Sequence, residues 1–352
     1  MASESTQPAP PVDMARVIEF DFVRATEAAA LHALKWLGRG DKIAADEAAT
    51  DAMRGTLNLI DMRGLCVIGE GIKDQAPGIL KGEHLGRCND AALRVNFAID
   101  PIDGTRLTAK GLPGAISVLA ASVVPDEDRS ELAELPSFYS DKLAYGPQVH
   151  DAGCTIDLRD PLEKILPLIA QCLDKRVNDV VVALLDRPRN QDKIDQVRKL
   201  GARIRLISDG DVAMAIAPAM IDRTVDVYVG IGGSPEAVIA AAAIKSLGGQ
   251  MLVQMWPRDD EERAELLDTG WADQLDRVYD RDDLAAGEEI MFAATGISDS
   301  PMLPGIIVRG QHAFTHSILM RAKYRTVRYI QAIHDLSRKT IRLASDEAEH
   351  LL

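Results

Sequence analysis

The chain has 352 residues, 47% of them hydrophobic, and carries a formal net charge of −14 at pH 7. This length fits one large domain or two closely packed ones, whose core needs no disulfide for stability. The acidic balance argues against a nucleic-acid-binding protein and against a protein that binds anionic membranes.

The sequence shows few signals for export, membrane insertion or disulfide formation. Residues 1–13 lack the basic and apolar segments of a signal peptide, and their composition predicts a disordered tail. No apolar run in the sequence approaches the roughly 18 residues of a membrane span. The four cysteines have no C-x-x-C spacing, which favours reduced thiols. We therefore expect a cytoplasmic protein.

Two amphipathic helices are predicted near the start of the chain. Apolar side chains recur every three or four residues over 18–36, and Gly38 ends this pattern. The same period begins again after Asp46 and stops at Gly64. Asp46 fits the N-cap of this second helix, so its position has a structural explanation as well as a functional one.

Short apolar strands and a later α/β alternation complete the predicted elements. Glu70 and Asp100 each stand where a predicted strand ends, a common place for chemistry in α/β proteins. From residue 162 onward helices and strands alternate, which is typical of a parallel sheet. The predicted strands are 65–68, 95–99, 116–124, 180–185, 204–207, 225–231, 290–294, 313–320 and 326–333, and the later helices are 162–173, 192–200, a short one ending at 216, and 235–247.

The segment Asp100-Pro-Ile-Asp-Gly-Thr105 carries the strongest local signal. Asp100 and Asp103 stand three residues apart across a turn, so both carboxylates are able to converge on one hard cation. Pro101 is predicted to bend the chain out of the sheet, and Gly104 permits a tight turn. The hydroxyl of Thr105 would then reach a water held by that cation. An Asp-rich turn that only caps a helix is the alternative.

Two arginines follow a later strand. Arg187 and Arg189 flank the rigid Pro188 directly after the strand predicted at 180–185. Guanidinium groups bind phosphate through pairs of hydrogen bonds, so this spacing favours a phosphate site. A solvated pair of surface arginines is the alternative.

Acceptors for a sugar are predicted beyond the next strand. The carboxylates of Asp209 and Asp211 suit sugar hydroxyls, and Gly210 between them allows close approach of the backbone. Gly233 stands just before a predicted helix, in a glycine-rich segment whose backbone amides are able to bind an anion.

Taken together, these segments resemble a known family. The segment 100–105 resembles the signature of the metal-dependent, lithium-sensitive sugar and inositol phosphatases. Five further segments resemble one branch, the class II fructose-1,6-bisphosphatases, including the bifunctional fructose/sedoheptulose bisphosphatases. They occur in the family's order and are 36–42, 67–71, 186–189, 208–212 and 230–236.

The resemblance runs from about residue 19 to 334 and implies a fold. It implies a mixed α/β protein with the layered αβαβα sugar-phosphatase architecture, built from two intimately packed αβ halves. We expect residues 14–160 to form the metal-binding half and residues 161–352 to form the sugar-phosphate-binding half. The resemblance also implies a homo-oligomer, either a dimer or a tetramer.

Two cation sites, for Mn²⁺ or Mg²⁺, are implied. Carboxylates are the ligands that these ions prefer, and no His or Cys cluster in the sequence argues for zinc. By resemblance, Asp46 and Glu70 would hold one cation, and three carboxylates would hold the other: Asp100, Asp103 and Glu236. The alternative for Glu236 is a favourable charge at a helix N-terminus.

Catalytic and substrate-binding roles are also implied by the resemblance. Thr105 would position or help to deprotonate the attacking water, and Asp74 would orient a water or ligand beside the metals. Tyr139 matches a tyrosine of the family that meets the substrate. The residues implied to bind substrate are Asp103, Gly104, Thr105, Tyr139, Arg187, Pro188, Arg189, Asp209, Gly210, Asp211 and Gly233.

The sequence also departs from the family. Ile72, Gln75 and Asn96 replace residues that are usually acidic, so the affinity for metal or the preferred metal is expected to change. The predicted function is metal-dependent hydrolysis of the 1-phosphate of fructose-1,6-bisphosphate, with sedoheptulose-1,7-bisphosphate as a second candidate substrate. The alternatives are an inositol-phosphate or nucleotide 3'-phosphate phosphatase, and a non-catalytic sugar-phosphate-binding paralogue.

Overall fold

The structure is a computed structural model, and it describes residues 14–69, 78–88, 93–126, 129–346 and 349–351. Its helices are α1 (Met14–Leu34), α2 (Lys42–Leu57), α3 (Thr105–Lys110), α4 (Pro147–Asp151), α5 (Leu162–Cys172), α6 (Gln191–Lys199), α7 (Val212–Ile216), α8 (Ser234–Leu247), α9 (Asp260–Asp268) and α10 (Arg281–Leu284). Each helix in these ranges is too short or too polar to cross a bilayer.

The strands come from all parts of the described chain. They are β1 (Arg63–Ile68), β2 (His84–Leu85), β3 (Arg94–Asp103), β4 (Ile116–Val124), β5 (Tyr139–Tyr145), β6 (Val181–Leu185), β7 (Arg203–Ile207), β8 (Val227–Gly233), β9 (Gln250–Trp256), β10 (Val278–Asp280), β11 (Ile290–Gly296), β12 (Ile307–Arg309), β13 (His312–Arg321), β14 (Thr326–Asp335), β15 (Thr340–Arg342) and β16 (Glu349–Leu351).

Two large sheets organise these strands. The larger has eight strands in the order β12-β13-β11-β4-β3-β1-β2, with β14 also paired to β13. The smaller has six strands in the order β10-β9-β5-β8-β6-β7. Parallel pairing joins β6 to β7 and to β8, as the α/β alternation predicts, whereas β5, β9 and β10 add antiparallel strands.

Helices pack on both faces of each sheet and give five layers. The apolar faces of α1 and α2 pack on one face of the larger sheet. The short α7 and the alanine-rich α8 fill the space between the two sheets. The outer face of the smaller sheet is covered by α5 and α6. The layered αβαβα architecture is therefore confirmed.

The sheets draw strands from both sides of residue 160. The smaller sheet includes β5, which precedes that position, and the larger sheet includes β11 and β13, which follow it by more than a hundred residues. The division of the chain into halves at residue 160 stays a prediction. The predicted disordered tail, residues 1–13, lies outside the described residues.

Two local predictions near the expected site are wrong. Helix α2 begins four residues before Asp46, because Asp41 is the N-cap and accepts a hydrogen bond from the amide of Ala44. Asp46 therefore lies inside the helix and does not cap it. Strand β3 does not end before Asp100 but continues through Pro101 to Asp103, with an irregularity in its pairing to β4 between the two aspartates.

Some elements were not predicted from the sequence. Strand β5 contains Asp141 and Lys142, residue types that are depleted in strands, so its alternation is hard to recognise. Nevertheless β5 is central in the smaller sheet, where it pairs with β8 and with β9. The irregular stretch between β4 and β5 contains no helix among its described residues.

Candidate active site

An open cavity of about 390 Å³ lies where the ends of strands from both sheets meet. Helix α2, the end of β3 and the start of α3 line one side. The other side is lined by the start of β5, the loops that follow β6 and β7, the end of β8 and the first turn of α8. Most of the predicted site residues line it: Asp46, Asp100, Asp103, Gly104, Thr105, Tyr139, Arg187, Arg189, Asp209, Gly210, Asp211, Gly233 and Glu236.

Of the other predicted residues, only Pro188 and Asn96 belong to the described part of the chain, and neither is in this lining. Pro188 is exposed and separates the two arginines without facing the cavity. Glu70 and Asp74, together with the departures Ile72 and Gln75, lie outside the described residues. Asn96 lies in the middle of β3, where its amide donates to the carbonyl of Arg129 at 2.9 Å.

Helix α2 presents one polar face to the cavity. Lys42, Asp46 and Thr50 are four residues apart, so they share a face, and all three line the cavity. The Thr105 hydroxyl donates a hydrogen bond of 2.9 Å to Oδ1 of Asp46. Thr105 begins α3 directly after Gly104, whose φ of 95° favours glycine. This turn places the hydroxyl beside the carboxylate of α2.

The carboxylates at the end of β3 are held by backbone amides. Oδ1 of Asp100 accepts a hydrogen bond of 3.0 Å from the amide of Ile102. Oδ2 of Asp103 accepts one of 3.1 Å from the amide of Val212, the first residue of α7. The second contact joins the larger sheet to the helix layer between the sheets, and it fixes Asp103 at the cavity wall.

Negative charge is concentrated around Asp103. Burial raises the pKa of the Asp103 carboxyl well above its usual range, and the neighbouring carboxylates of Asp211, Glu236 and Asp209 raise it further. Glu236 lies in the first turn of α8, where the N-terminal dipole also favours a negative charge. Carboxylates this close together all remain ionised readily only when cations neutralise their charge.

The donor set fits a hard cation. Four predicted ligands with carboxylate oxygens, Asp46, Asp100, Asp103 and Glu236, line one cavity, and Mg²⁺ and Mn²⁺ prefer such oxygens. Among the described residues, no three His, Cys, Asp or Glu side chains are arranged closely enough to hold one metal ion. The predicted ligand Glu70 falls outside those residues, so the fit rests on the type of donor and on the concentration of charge.

The opposite wall carries two half-buried arginines. Arg187 Nη2 donates to Oδ1 of Asp209 at 3.0 Å, and Oδ2 of Asp209 accepts from the amide of Arg106 at 3.2 Å. Arg189 Nε donates to the carbonyl of Ile231 at 3.0 Å. Both side chains are thus held by partners at the cavity rather than solvated on an open surface.

Tyr139 supports one of these arginines. The guanidinium carbon of Arg189 lies 4.0 Å from the centre of the Tyr139 ring. A guanidinium group stacked on an aromatic ring loses less conformational freedom when it binds an anion. This contact brings two of the predicted site residues, Tyr139 and Arg189, together at the cavity.

Asp211 is held from behind by two buried side chains. Its Oδ2 accepts a hydrogen bond of 2.8 Å from Nζ of Lys142 and one of 2.9 Å from the hydroxyl of Tyr228. Burial and the nearby Asp211 charge raise the pKa of the Tyr228 hydroxyl, so it remains a donor. Neither Lys142 nor Tyr228 stands in a recognisable sequence motif, so neither was predicted as a site residue.

Other cavity residues were also missed. Lys42, Thr50, Arg106 and Phe138 line the cavity. The four-residue spacing of Lys42 and Thr50 around Asp46 was visible in the sequence and was the signal that could have found them. Arg106 and Phe138 each stand next to a predicted site residue, and no spacing marks them.

Comparison with known proteins identifies the family. The family described as bacterial fructose-1,6-bisphosphatase, glpX-encoded, matches residues 16–334. The chain belongs to this family. One relative, the fructose-1,6-bisphosphatase class 2 of Haemophilus influenzae, is 43% identical over 338 residues, which cover 92% of this chain and 97% of the relative.

A second relative is named for two substrates. The D-fructose 1,6-bisphosphatase class 2/sedoheptulose 1,7-bisphosphatase of Thermosynechococcus vestitus is 37% identical over 343 residues, covering 91% of this chain and 96% of the relative. The resemblance inferred from the motifs is thereby confirmed over nearly the whole chain. The family match also spans both walls of the cavity.

Proposed function

We propose that this member of the fructose-1,6-bisphosphatase family hydrolyses the 1-phosphate of fructose-1,6-bisphosphate and requires Mn²⁺ or Mg²⁺. The observation that supports the proposal most strongly is the composition of the cavity. Four predicted cation ligands with carboxylate groups line the same cavity of about 390 Å³ as the two arginines. A bisphosphate has one phosphate for the cation ligands and one for the arginines.

The metals would be held by carboxylates. Asp46 and Glu70 would bind one cation, and Asp100, Asp103 and Glu236 would bind the other. The chemistry supplied by these cations is neutralisation of charge at the phosphate and activation of a water molecule. The scissile 1-phosphate would therefore lie against the wall formed by α2 and the end of β3.

Thr105 would position the attacking water. Its hydroxyl donates to Asp46, so its oxygen remains able to accept a hydrogen bond from that water. As the water attacks, its proton has a path through Thr105 to the Asp46 carboxylate. General-base assistance of this kind contributes about 10²- to 10⁴-fold to a rate.

Arg187 and Arg189 would bind the distal phosphate. Their contacts to Asp209, to the carbonyl of Ile231 and to the Tyr139 ring hold them in place before substrate arrives. Because the binding groups are already ordered, less conformational entropy is lost on binding. Asp209 and Asp211 would accept hydrogen bonds from hydroxyls of the sugar between the two phosphates.

The proposal extends to a second substrate, to the location and assembly of the protein, and to its pathway. Sedoheptulose-1,7-bisphosphate is a second candidate substrate, because relatives that cover nearly the whole chain carry that activity in their names. We also propose a cytoplasmic homo-oligomer, a dimer or tetramer, that acts in gluconeogenesis or the Calvin cycle. The arginine pair favours a bisphosphate over an inositol monophosphate or a nucleotide 3'-phosphate.

A substrate panel tests the proposal. Phosphate release would be measured with Mn²⁺ and with Mg²⁺ on fructose-1,6-bisphosphate, sedoheptulose-1,7-bisphosphate, inositol-1-phosphate and a nucleotide 3'-phosphate. We expect release from fructose-1,6-bisphosphate, its loss after exhaustive chelation with EDTA, and its recovery when metal is returned. Preferential hydrolysis of inositol-1-phosphate or the nucleotide, or activity that survives chelation, would refute the proposal. Binding of sugar bisphosphate without turnover would identify a non-catalytic paralogue.

A further inference from the structure

The smaller sheet contains a lysine that is buried almost completely. The relative exposure of Lys142 is 1%, although lysine is rarely buried without a specific partner. It lies in the middle of β5, opposite Gly230 of β8 and Val253 of β9. The described residues that line the cavity include its partner Asp211 but not Lys142 itself. Lys142 therefore lies directly behind the cavity wall.

The contact between these residues is closely packed. Nζ of Lys142 lies 2.8 Å from Oδ2 of Asp211, and the Tyr228 hydroxyl donates to the same oxygen at 2.9 Å. A methyl group added at Gly232 would lie 2.0 Å from Oδ2 of Asp211 and 3.0 Å from Nζ of Lys142. Glycine is thus required at position 232 for these groups to approach each other.

Both donors act on one oxygen of Asp211. Within the described chain, no hydrogen bond reaches the other oxygen, Oδ1. A carboxylate fixed through one oxygen keeps the second as an acceptor. Lys142 also supplies a positive charge beside an aspartate that lies among the carboxylates of Asp103 and Glu236.

We propose that Lys142 is a positioning residue for substrate recognition. By its ion pair with Oδ2, it holds Asp211 in the orientation in which that carboxylate accepts a hydrogen bond from a hydroxyl of the sugar. This inference rests on the proposed function and adds a residue that does not touch the substrate. A purely structural ion pair is the competing explanation, and the two differ in their effect on kinetics.

The test is a double-mutant cycle on steady-state hydrolysis of fructose-1,6-bisphosphate. Lys142→Met keeps the length of the side chain and removes the charge. We expect it to lower kcat/KM by about 10- to 100-fold, the usual cost of a lost hydrogen bond to a charged group, mainly through a higher KM. In the Asp211→Asn background, Lys142→Met should cause little further loss. Lys142→Arg, which keeps the charge, should recover part of the activity.

A matched control separates recognition from stability. Lys175 forms a similar ion pair with the buried Asp226, at 2.7 Å, away from the cavity lining. Lys175→Met should leave KM unchanged. If Lys142→Met does not fold, Tyr228→Phe removes the other donor to the same oxygen and should raise KM by a smaller factor, again without effect in the Asp211→Asn background.

The outcomes distinguish the two proposals. The role of Lys142 would be overturned if the losses from Lys142→Met and Asp211→Asn multiply independently. It would also be overturned by an unchanged KM in Lys142→Met or in Tyr228→Phe. Either result would leave the proposed function intact. A wild-type protein that does not hydrolyse fructose-1,6-bisphosphate would overturn the proposed function and this inference with it.

Discussion

The hydroxyl of Thr105 donates a hydrogen bond of 2.9 Å to Oδ1 of Asp46, a residue 59 positions away in the chain. The contact joins the first turn of α3 to the second turn of α2. A threonine that already donates its proton to a carboxylate presents its oxygen to other donors. This is the geometry that a water-positioning residue needs.

Thr105→Ala should therefore reduce turnover with little effect on substrate binding. The hydroxyl would act on the attacking water in the transition state, so kcat should fall by about 10²- to 10⁴-fold while KM changes little. Thr105→Ser keeps the hydroxyl and should retain most of the activity. Single-turnover measurements at saturating metal would check this. Equal activity in the alanine and serine variants would exclude the hydroxyl from the mechanism.

Asp100→Asn should abolish activity and leave the fold nearly intact. The asparagine side chain keeps an oxygen for the amide of Ile102 but loses the charge that would bind a cation. Loss of a cation-binding charge should cost at least roughly 100-fold in kcat/KM, because metal ions supply several kcal/mol of transition-state stabilisation. Asp186→Asn, an exposed aspartate outside the cavity lining, is the matched control. Near-wild-type turnover of metal-saturated Asp100→Asn would remove Asp100 from the ligand set.

A parallel prediction concerns Glu70, which lies outside the described residues. If Glu70 binds a cation, the substitution should abolish phosphatase activity and lower the affinity for Mn²⁺ measured by calorimetry. An unchanged Mn²⁺ affinity would show that Glu70 is not a ligand. This result would also decide whether the carboxylates of the described residues suffice without it.

Arg189→Ala should impair a bisphosphate more than a monophosphate. An arginine that binds the distal phosphate contributes nothing when that phosphate is absent. Loss of a charge-assisted hydrogen bond costs about 1.5–3 kcal/mol, or roughly 10- to 100-fold in kcat/KM. The comparison requires fructose-1,6-bisphosphate and fructose-1-phosphate, with Arg203→Ala, an exposed arginine paired with Asp179, as control. Equal losses on both substrates would exclude Arg189 from the distal site.

Stability should depend on pH through His32. Burial lowers the pKa of this imidazole from 6.5 to about 4, and the nearby Lys35 acts in the same direction. Between these values the unfolded chain takes up a proton that the folded protein does not, so the free energy of unfolding falls as pH decreases from about 6.5 to about 4. The shift corresponds to on the order of 3 kcal/mol.

Denaturant titrations at several pH values would measure this dependence. In His32→Gln the slope between pH 6.5 and 4 should be smaller than in the wild type, whereas a substitution of the exposed His84 should leave it unchanged. An identical slope in wild type and His32→Gln would show that this histidine does not contribute.

Local sequence patterns predicted much of the fold and of the site. The three- and four-residue spacing located α1 and α2, and the α/β alternation located β6, β7, β8 and the helices between them. The loops after β6 and β7 bring Arg187 and Asp209 to the cavity where β8 ends at Gly233, because parallel strands place their carboxyl ends along a common edge.

The remaining features depend on tertiary contacts. Asp46 looks like an N-cap in the sequence, but Asp41 occupies that position and leaves Asp46 facing the cavity. The charged residues of β5 conceal a central strand, because Lys142 is buried against a partner from a distant segment. No local sequence pattern indicates an ion pair between residues that are 69 positions apart. These contacts become visible only once the two sheets are assembled.

The products of fructose-1,6-bisphosphate hydrolysis show whether the protein removes the 1-phosphate. The purified protein would be supplied with Mn²⁺ or Mg²⁺, and the products would be followed by phosphorus NMR. If the cation ligands hold the 1-phosphate and Arg187 and Arg189 hold the distal phosphate, the products are one equivalent of inorganic phosphate and fructose-6-phosphate. Release of fructose-1-phosphate, or no release of phosphate with either metal, would contradict this account.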